Sequence, residues 1–150
     1  MVRYKKNKIP HYEKLPAPEK TPKTSKSFLD YKEQKISWVL GSLDKDGEWS
    51  ILKITKECFI SRILEKIHAF ESMYWKEIVN NENNHEVSIE KLINVAQKRL
   101  QELKIEDIES LFSLRLSGKE RIYGIRVGSI FKVLWWDPNH EICPSILKHT

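Results

Sequence analysis

The stretch LFSLRLSGKERIYGIRVGSIFKVLWW, residues 111–136, decides how this chain folds. It contains three apolar, β-prone segments at 111–116, 121–127 and 130–136. Ser117-Gly118-Lys119-Glu120 and Gly128-Ser129 separate them with residues suited to tight turns. Strands joined by such short connections pair antiparallel, so the stretch predicts a three-stranded meander. Its last hairpin can pair in two ways. A two-residue loop, Gly128-Ser129, sets Arg126 opposite Phe131 and Ile125 opposite Lys132, which mixes charge with large apolar groups on each face. A three-residue loop, Gly128-Ser129-Ile130, sets Arg126 opposite Lys132 and gathers Tyr123, Ile125, Val127, Phe131, Val133 and Trp135 on the other face. The second register is expected, because it separates apolar from cationic and a one-residue slip would turn every side chain over. Two cations directly opposite repel, so an acid or an anionic ligand should lie between them.

Upstream, the segment KISWVLGSLDKDGEWSILKI brackets Asp46-Gly47 with β-prone residues and predicts a hairpin of strands at 36–43 and 49–54. Thr55 can cap a helix running to about Asn80. Phe59, Ile60, Ile63, Leu64, Ile67, Phe70, Met73 and Tyr74 recur along it at spacings of three and four. The run NNENNH at 80–85 ends that helix, and Ser88 opens a second one with Leu92, Ile93, Ala96, Leu100 and Leu103 on its apolar side. The fold class is therefore α+β: an N-terminal β-hairpin, two helices, then a C-terminal antiparallel meander packed on them.

Composition bounds the rest. With 150 residues, 40% of them hydrophobic, the chain has room for one domain. Cys58 and Cys143 stand far apart without a Cys-x-x-Cys spacing, so two reduced thiols and a cytoplasmic setting are expected. No apolar run reaches the ~18 residues of a membrane span, and no secretory leader follows the basic start. The net charge of +5 is unevenly placed: residues 1–27 carry eight basic and two acidic side chains, leaving 18 basic and 19 acidic for 28–150. Residues 1–27, with four prolines, read as a disordered basic tail, and 28–150 as a single near-neutral domain. Such a tail can gain affinity for phosphates by counterion release, or serve only to solubilise the chain or bind a protein partner. Within the domain, residues 115–132 are locally enriched, holding Arg115, Lys119, Arg121, Arg126 and Lys132 against Glu120 alone. The plain reading of that enrichment is a solvated edge of sheet.

The segment from Tyr123 to Trp135, with Arg126, Gly128 and Lys132 inside it, resembles the basic Tyr-Arg-x-Arg-Val-Gly-Asp-Tyr-Arg-Val hairpin of RelE/ParE-type toxins. The order of strands, two helices and meander is similar as well. The resemblance implies an RNA-directed, toxin-like protein, either a metal-independent endoribonuclease acting on free or ribosome-bound RNA or, in the ParE branch, a gyrase inhibitor. It also implies a cognate antitoxin partner. Only Arg126 and Lys132 match the family's basic positions; Gly124 stands where the first motif arginine would be, and His149 is similar to a histidine near the end of some members.

RNA cleavage without metal needs a base, an acid and cations around the developing phosphorane. Arg115, Arg126 and Lys132 are the candidate charge stabilisers, with His149 or His140 for proton transfer because imidazole titrates near ~6.5. Lys119 and Arg121 would contact RNA, and Tyr123, Trp135 or Trp136 would stack on an unpaired base. No cofactor and no metal is expected. Asp137, His140, Glu141 and Cys143 lie close in sequence, but Asp137-Pro138-Asn139 reads better as a turn than as part of a metal site. Two other readings stand beside the enzyme: a non-catalytic protein-interaction module using the Trp-rich sheet edge, and a basic-armed nucleic-acid-binding domain.

Overall fold

A computed structural model describes residues 30–144. The predicted tail of 1–27 and His149 lie outside the described residues. Mixed helix and sheet, as expected, surround a five-stranded sheet. Its strands are β1 (Ser37–Val39), β2 (His85–Ser88), β3 (Ser110–Ser117), β4 (Glu120–Val127) and β5 (Ile130–Asp137), arranged in the order β1-β5-β4-β3-β2. The meander β3-β4-β5 is antiparallel, and β1 closes one edge by pairing parallel to β5. Among the described residues, three α-helices longer than a single turn accompany the sheet: α1 (Glu65–Glu71), α2 (Trp75–Asn80) and α3 (Asn94–Glu102).

The predicted N-terminal hairpin does not form. Only Ser37–Val39 is strand, and residues 40–50 run as a loop whose Asp44 and Trp49 bond to Leu134 and Trp136 of β5. Gly47 has a different reason from the one its sequence context suggests. A Cβ there would collide with the Asp44 carboxylate and the Arg99 guanidinium, so glycine is required for close approach rather than for a tight turn.

The long first helix is also interrupted. Thr55 caps as predicted, its hydroxyl accepting from Cys58 N at 3.2 Å. The chain then makes a short α-turn, Lys56–Cys58, widens into a π-helix over Phe59–Leu64, and tightens into α1. It breaks at Ser72–Tyr74 so that Trp75 can turn inward. There Trp75 is fully buried, meets Phe112 edge-to-face at 5.4 Å, and donates its indole N–H to the Ser129 carbonyl at 2.8 Å. Ser88 ends a strand instead of opening a long helix. A single 3-10 turn, Ile89–Lys91, follows it, and α3 begins only after Ile93.

Because β-strand side chains alternate, the sheet carries a core on each face. On face A, Phe112, Leu114, Ile122, Phe131 and Val133 pack with Ile63, Phe70, Trp75 and Ile78. On face B, Leu111, Tyr123, Leu134 and Trp135 pack with Leu92, Ala96 and Leu100 around α3, and with Trp49 and Ile142. The helical segments thus sandwich the sheet, a correction to the expectation that both would lie on one face. No helix among the described residues is long and apolar enough to cross a membrane.

Candidate functional sites

The last hairpin holds both candidate registers, one after the other. Next to the turn, Val127 pairs with Ile130, Arg126 with Phe131, and Ile125 with Lys132, which is the two-residue-loop register. A β-bulge then intervenes between Tyr123 and Gly124. Beyond it Tyr123 faces Trp135 and Ile122 faces Trp136, as the other register required. The bulge lets Leu134 and Trp135 both enter the face B core. Gly124 makes room for the Phe131 ring and the Lys132 carbonyl, which any Cβ at that position would strike.

This pairing separates the two cations expected to act together. Arg126 projects to face A and Lys132 to face B. Arg126 lies 4.0 Å over the Tyr31 ring, pairs with Glu86 at 3.2 Å, and donates to the Gly128 carbonyl at 3.1 Å. It acts as a half-buried cation–π brace between β4, β2 and the N-terminal segment. Lys132 is half-buried on the opposite side, without an ion pair or side-chain hydrogen bond among the described residues. Their joint grip on one phosphate is therefore corrected.

The aromatic candidates for base stacking are committed elsewhere. Tyr123 is buried and bonded to Ser113, with its phenol pushed up to about 12 chiefly by that burial. Trp135 is fully buried and donates to Asp44 at 2.9 Å. Trp136 is half-buried, donates to Glu120 at 3.0 Å, and lies under Arg62. Buried Glu120 also takes a 2.9 Å ion pair from Arg62, tying the π-helical stretch to β4. The predicted Trp-rich edge is not an edge, since β5 runs between β1 and β4.

Five of the sequence-predicted residues do come together, on face B around the end of the sheet where β3 turns into β4. Arg115 on β3 is directly opposite Arg121 on β4, with Lys119 in the turn between them. Tyr123 lies one row inward, beside Ser113 and His85. His140 follows β5 in a left-handed backbone conformation, φ 57°. Burial, then the nearby Arg121, moves its imidazole below its ordinary value. Asp137 is opposite Arg121 but makes no ion pair with it. As the turn reading predicts, its carboxylate accepts backbone N–H groups from Asn139, Glu141 and Ile142 at 3.3, 3.0 and 2.9 Å. His85 escaped the sequence reading because the Asn-rich run before it looked like a plain linker.

The other feature missed in the sequence is an apolar groove of about 600 Å³ on face A. Trp38 of β1 and Val133 of β5 line it from the sheet, Leu43 and Ile51 from the loop, and Phe59 and Ile67 from the helical segment. Its rim exposes Leu40 (59%), Leu52 (60%), Ile60 (58%) and Leu64 (45%), which cluster at one place instead of lying scattered singly. Lys56 is the one charged residue among its lining side chains. A signal for it was present: the stripe from Phe59 to Tyr74 was wider than one buried face needs, and Ile60 and Leu64 are its surplus.

No family model matches the chain, and comparison with the curated proteins and with solved structures finds no significant match.

Proposed function

We propose that this domain is a protein-interaction module whose face A groove receives the apolar side of an acidic amphipathic segment from a partner chain. The observation that carries this reading is the groove itself, an apolar trough flanked by four exposed aliphatic side chains and bordered by an edge strand. Clustered exposed apolar side chains often mark an interaction site. Fully covering a Leu or Ile gains ~1.5–3 kcal/mol over leaving it exposed. The rim residues have about half of that still to gain.

The chemistry of the partner follows from the lining and the charge around it. Lys56 lines the groove and Lys53 is exposed on the adjoining turn, so a carboxylate beside the partner's apolar stripe is favoured.

A random peptide library displayed on phage, selected on the wild-type chain and counter-selected on Ile60→Asp/Leu64→Asp, tests this. Enriched peptides should carry apolar residues at spacings of three and four with Asp or Glu alongside, and should lose at least tenfold in affinity for the variant. Enrichment of basic peptides, binding that survives the double substitution, or no enrichment at all would reject the proposal. Both positions are exposed, so circular dichroism and thermal melting of the variant should match wild type.

A further inference from the structure

A second surface, far from the groove in chemistry, has an electrostatic arrangement left open. Arg115 and Arg121 are cross-strand partners on adjacent strands, and like charges so placed repel. Neither has an ion-pair partner among the described residues, nor does Lys119 in the turn that joins their strands. Every other arginine in the described residues is paired: Arg62 with Glu120, Arg99 with Asp44 and Glu102, and Arg126 with Glu86. Asp137, the cross-strand partner of Arg121 on its other side, turns its carboxylate to three backbone N–H groups and makes no ion pair with Arg121.

Arg121 is also held in place. One terminal nitrogen donates to the Gly118 and Glu120 carbonyls at 2.8 and 3.0 Å, which fixes the plane of the guanidinium in a largely buried position. A cation kept partly out of water and fixed in orientation attracts an anion more strongly than one free in solvent. Burial first and Arg115 second act against its charge and outweigh the favourable Tyr123 and Asp137, a cost that a bound anion would offset.

We infer that Arg115, Lys119 and Arg121 form a binding site for the phosphodiester of a nucleic-acid strand. Arg115 supplies an exposed guanidinium and Lys119 a mobile ammonium, while Arg121, oriented by its two carbonyl bonds, offers the donors that those bonds leave free. A nucleic-acid strand is favoured over an isolated anion because the three cations are spread over two strands and the turn joining them, and the chain as a whole carries a net charge of +5. Among the described residues no exposed aromatic platform adjoins the site, since Tyr123 is buried, so binding should depend on the backbone and show little sequence preference.

The test uses the full chain and a fluorescein-labelled 20-mer of oligo-uridylate, with anisotropy followed from low to moderate salt. Arg115→Gln/Lys119→Gln changes only exposed residues and should weaken binding at least tenfold. It should also lower the slope of log affinity against log salt by about 1.4, at ~0.7 per lost phosphate contact. Arg121→Lys, which keeps the charge but loses the fork, should weaken binding severalfold. Lys132→Gln, on the same face but toward the other end of the hairpin, should bind like wild type. The inference fails if the wild type does not bind, or if the Arg115/Lys119 variant keeps both affinity and slope. It also fails if that variant loses binding only to vesicles containing phosphoinositide, or if free phosphate near the RNA concentration displaces the RNA.

Discussion

The two faces of the sheet bury similar side chains but end differently, and the difference lies in how the loop 40–54 is tied down. On face B the loop is locked by charge. The Asp44 carboxylate is buried and accepts from Arg99 at 2.8 and 2.7 Å, from Trp135 at 2.9 Å, and from the Gly47 amide at 2.9 Å. On face A the same loop contributes Leu40, Leu43, Ile51 and Leu52 to a groove that nothing among the described residues fills. A satisfied buried ion closes one face, and unsatisfied apolar surface leaves the other open. Stability should therefore concentrate where the charge is, and binding where it is not.

The largest expected effect tests the closed side. Asp44→Ala removes the partner of a half-buried guanidinium and the acceptor of a buried indole, and should destabilise by about 3 kcal/mol, read from the urea midpoint. The pH dependence has a defined sign. Arg99 holds the Asp44 carboxyl well below the usual carboxylate range, so the group is more acidic folded than unfolded. Its contribution is complete above about pH 4 and fades as pH falls further, because the unfolded chain takes up the proton first. The acid limb of the stability profile should flatten in Asp44→Asn.

Ile63 and Ile60 sharpen the contrast within one helical turn. Ile63 is fully buried and Ile60 is 58% exposed at the groove. Ile63→Ala should cost about 3 kcal/mol, whereas Ile60→Ala should stay within about 0.5 kcal/mol while weakening any groove-bound peptide. Equal losses at both positions would mean that the groove is filled in solution. Gly124→Ala should cost about 2 kcal/mol by forcing Phe131 and the β5 backbone apart, and would show whether the bulge can relax.

What the sequence makes legible follows from how local each signal is. The meander is carried by short turns and apolar segments, and it stands within a residue or so of where it was read. Asp46-Gly47 misled because its glycine answers to Arg99, a residue more than fifty positions away, and no turn rule contains that information. The hairpin register misled for a related reason. Separating charge from apolar groups is a sound rule for a sheet with one wet face, but both faces of this sheet are covered. Arg126 could therefore enter an apolar face by stacking on Tyr31 and pairing with Glu86. The basic cluster near the turn of β3 and β4 was visible as composition. Its division into a braced arginine on one face and an unpaired pair on the other follows from the odd spacing of Arg121 and Arg126 along β4, which alternation alone puts on opposite faces.

The smallest effect joins the comparison to the proposed phosphate site. His140 faces Arg121, Lys119 and His85 as well as Asp137, and burial followed by Arg121 lowers its pKa. An imidazole less basic in the folded state than in the unfolded one makes the fold less stable as pH drops from about 7 through its folded pKa, since the unfolded chain binds the proton more readily. His140→Gln should remove that modest slope. The direction reverses if an anion occupies the neighbouring guanidiniums, because negative charge there favours the imidazolium. Titration of the His140 ring protons by NMR, with and without oligo-uridylate, should show its pKa rising on binding. A pKa that stays fixed while RNA binds would place the phosphates elsewhere on the chain.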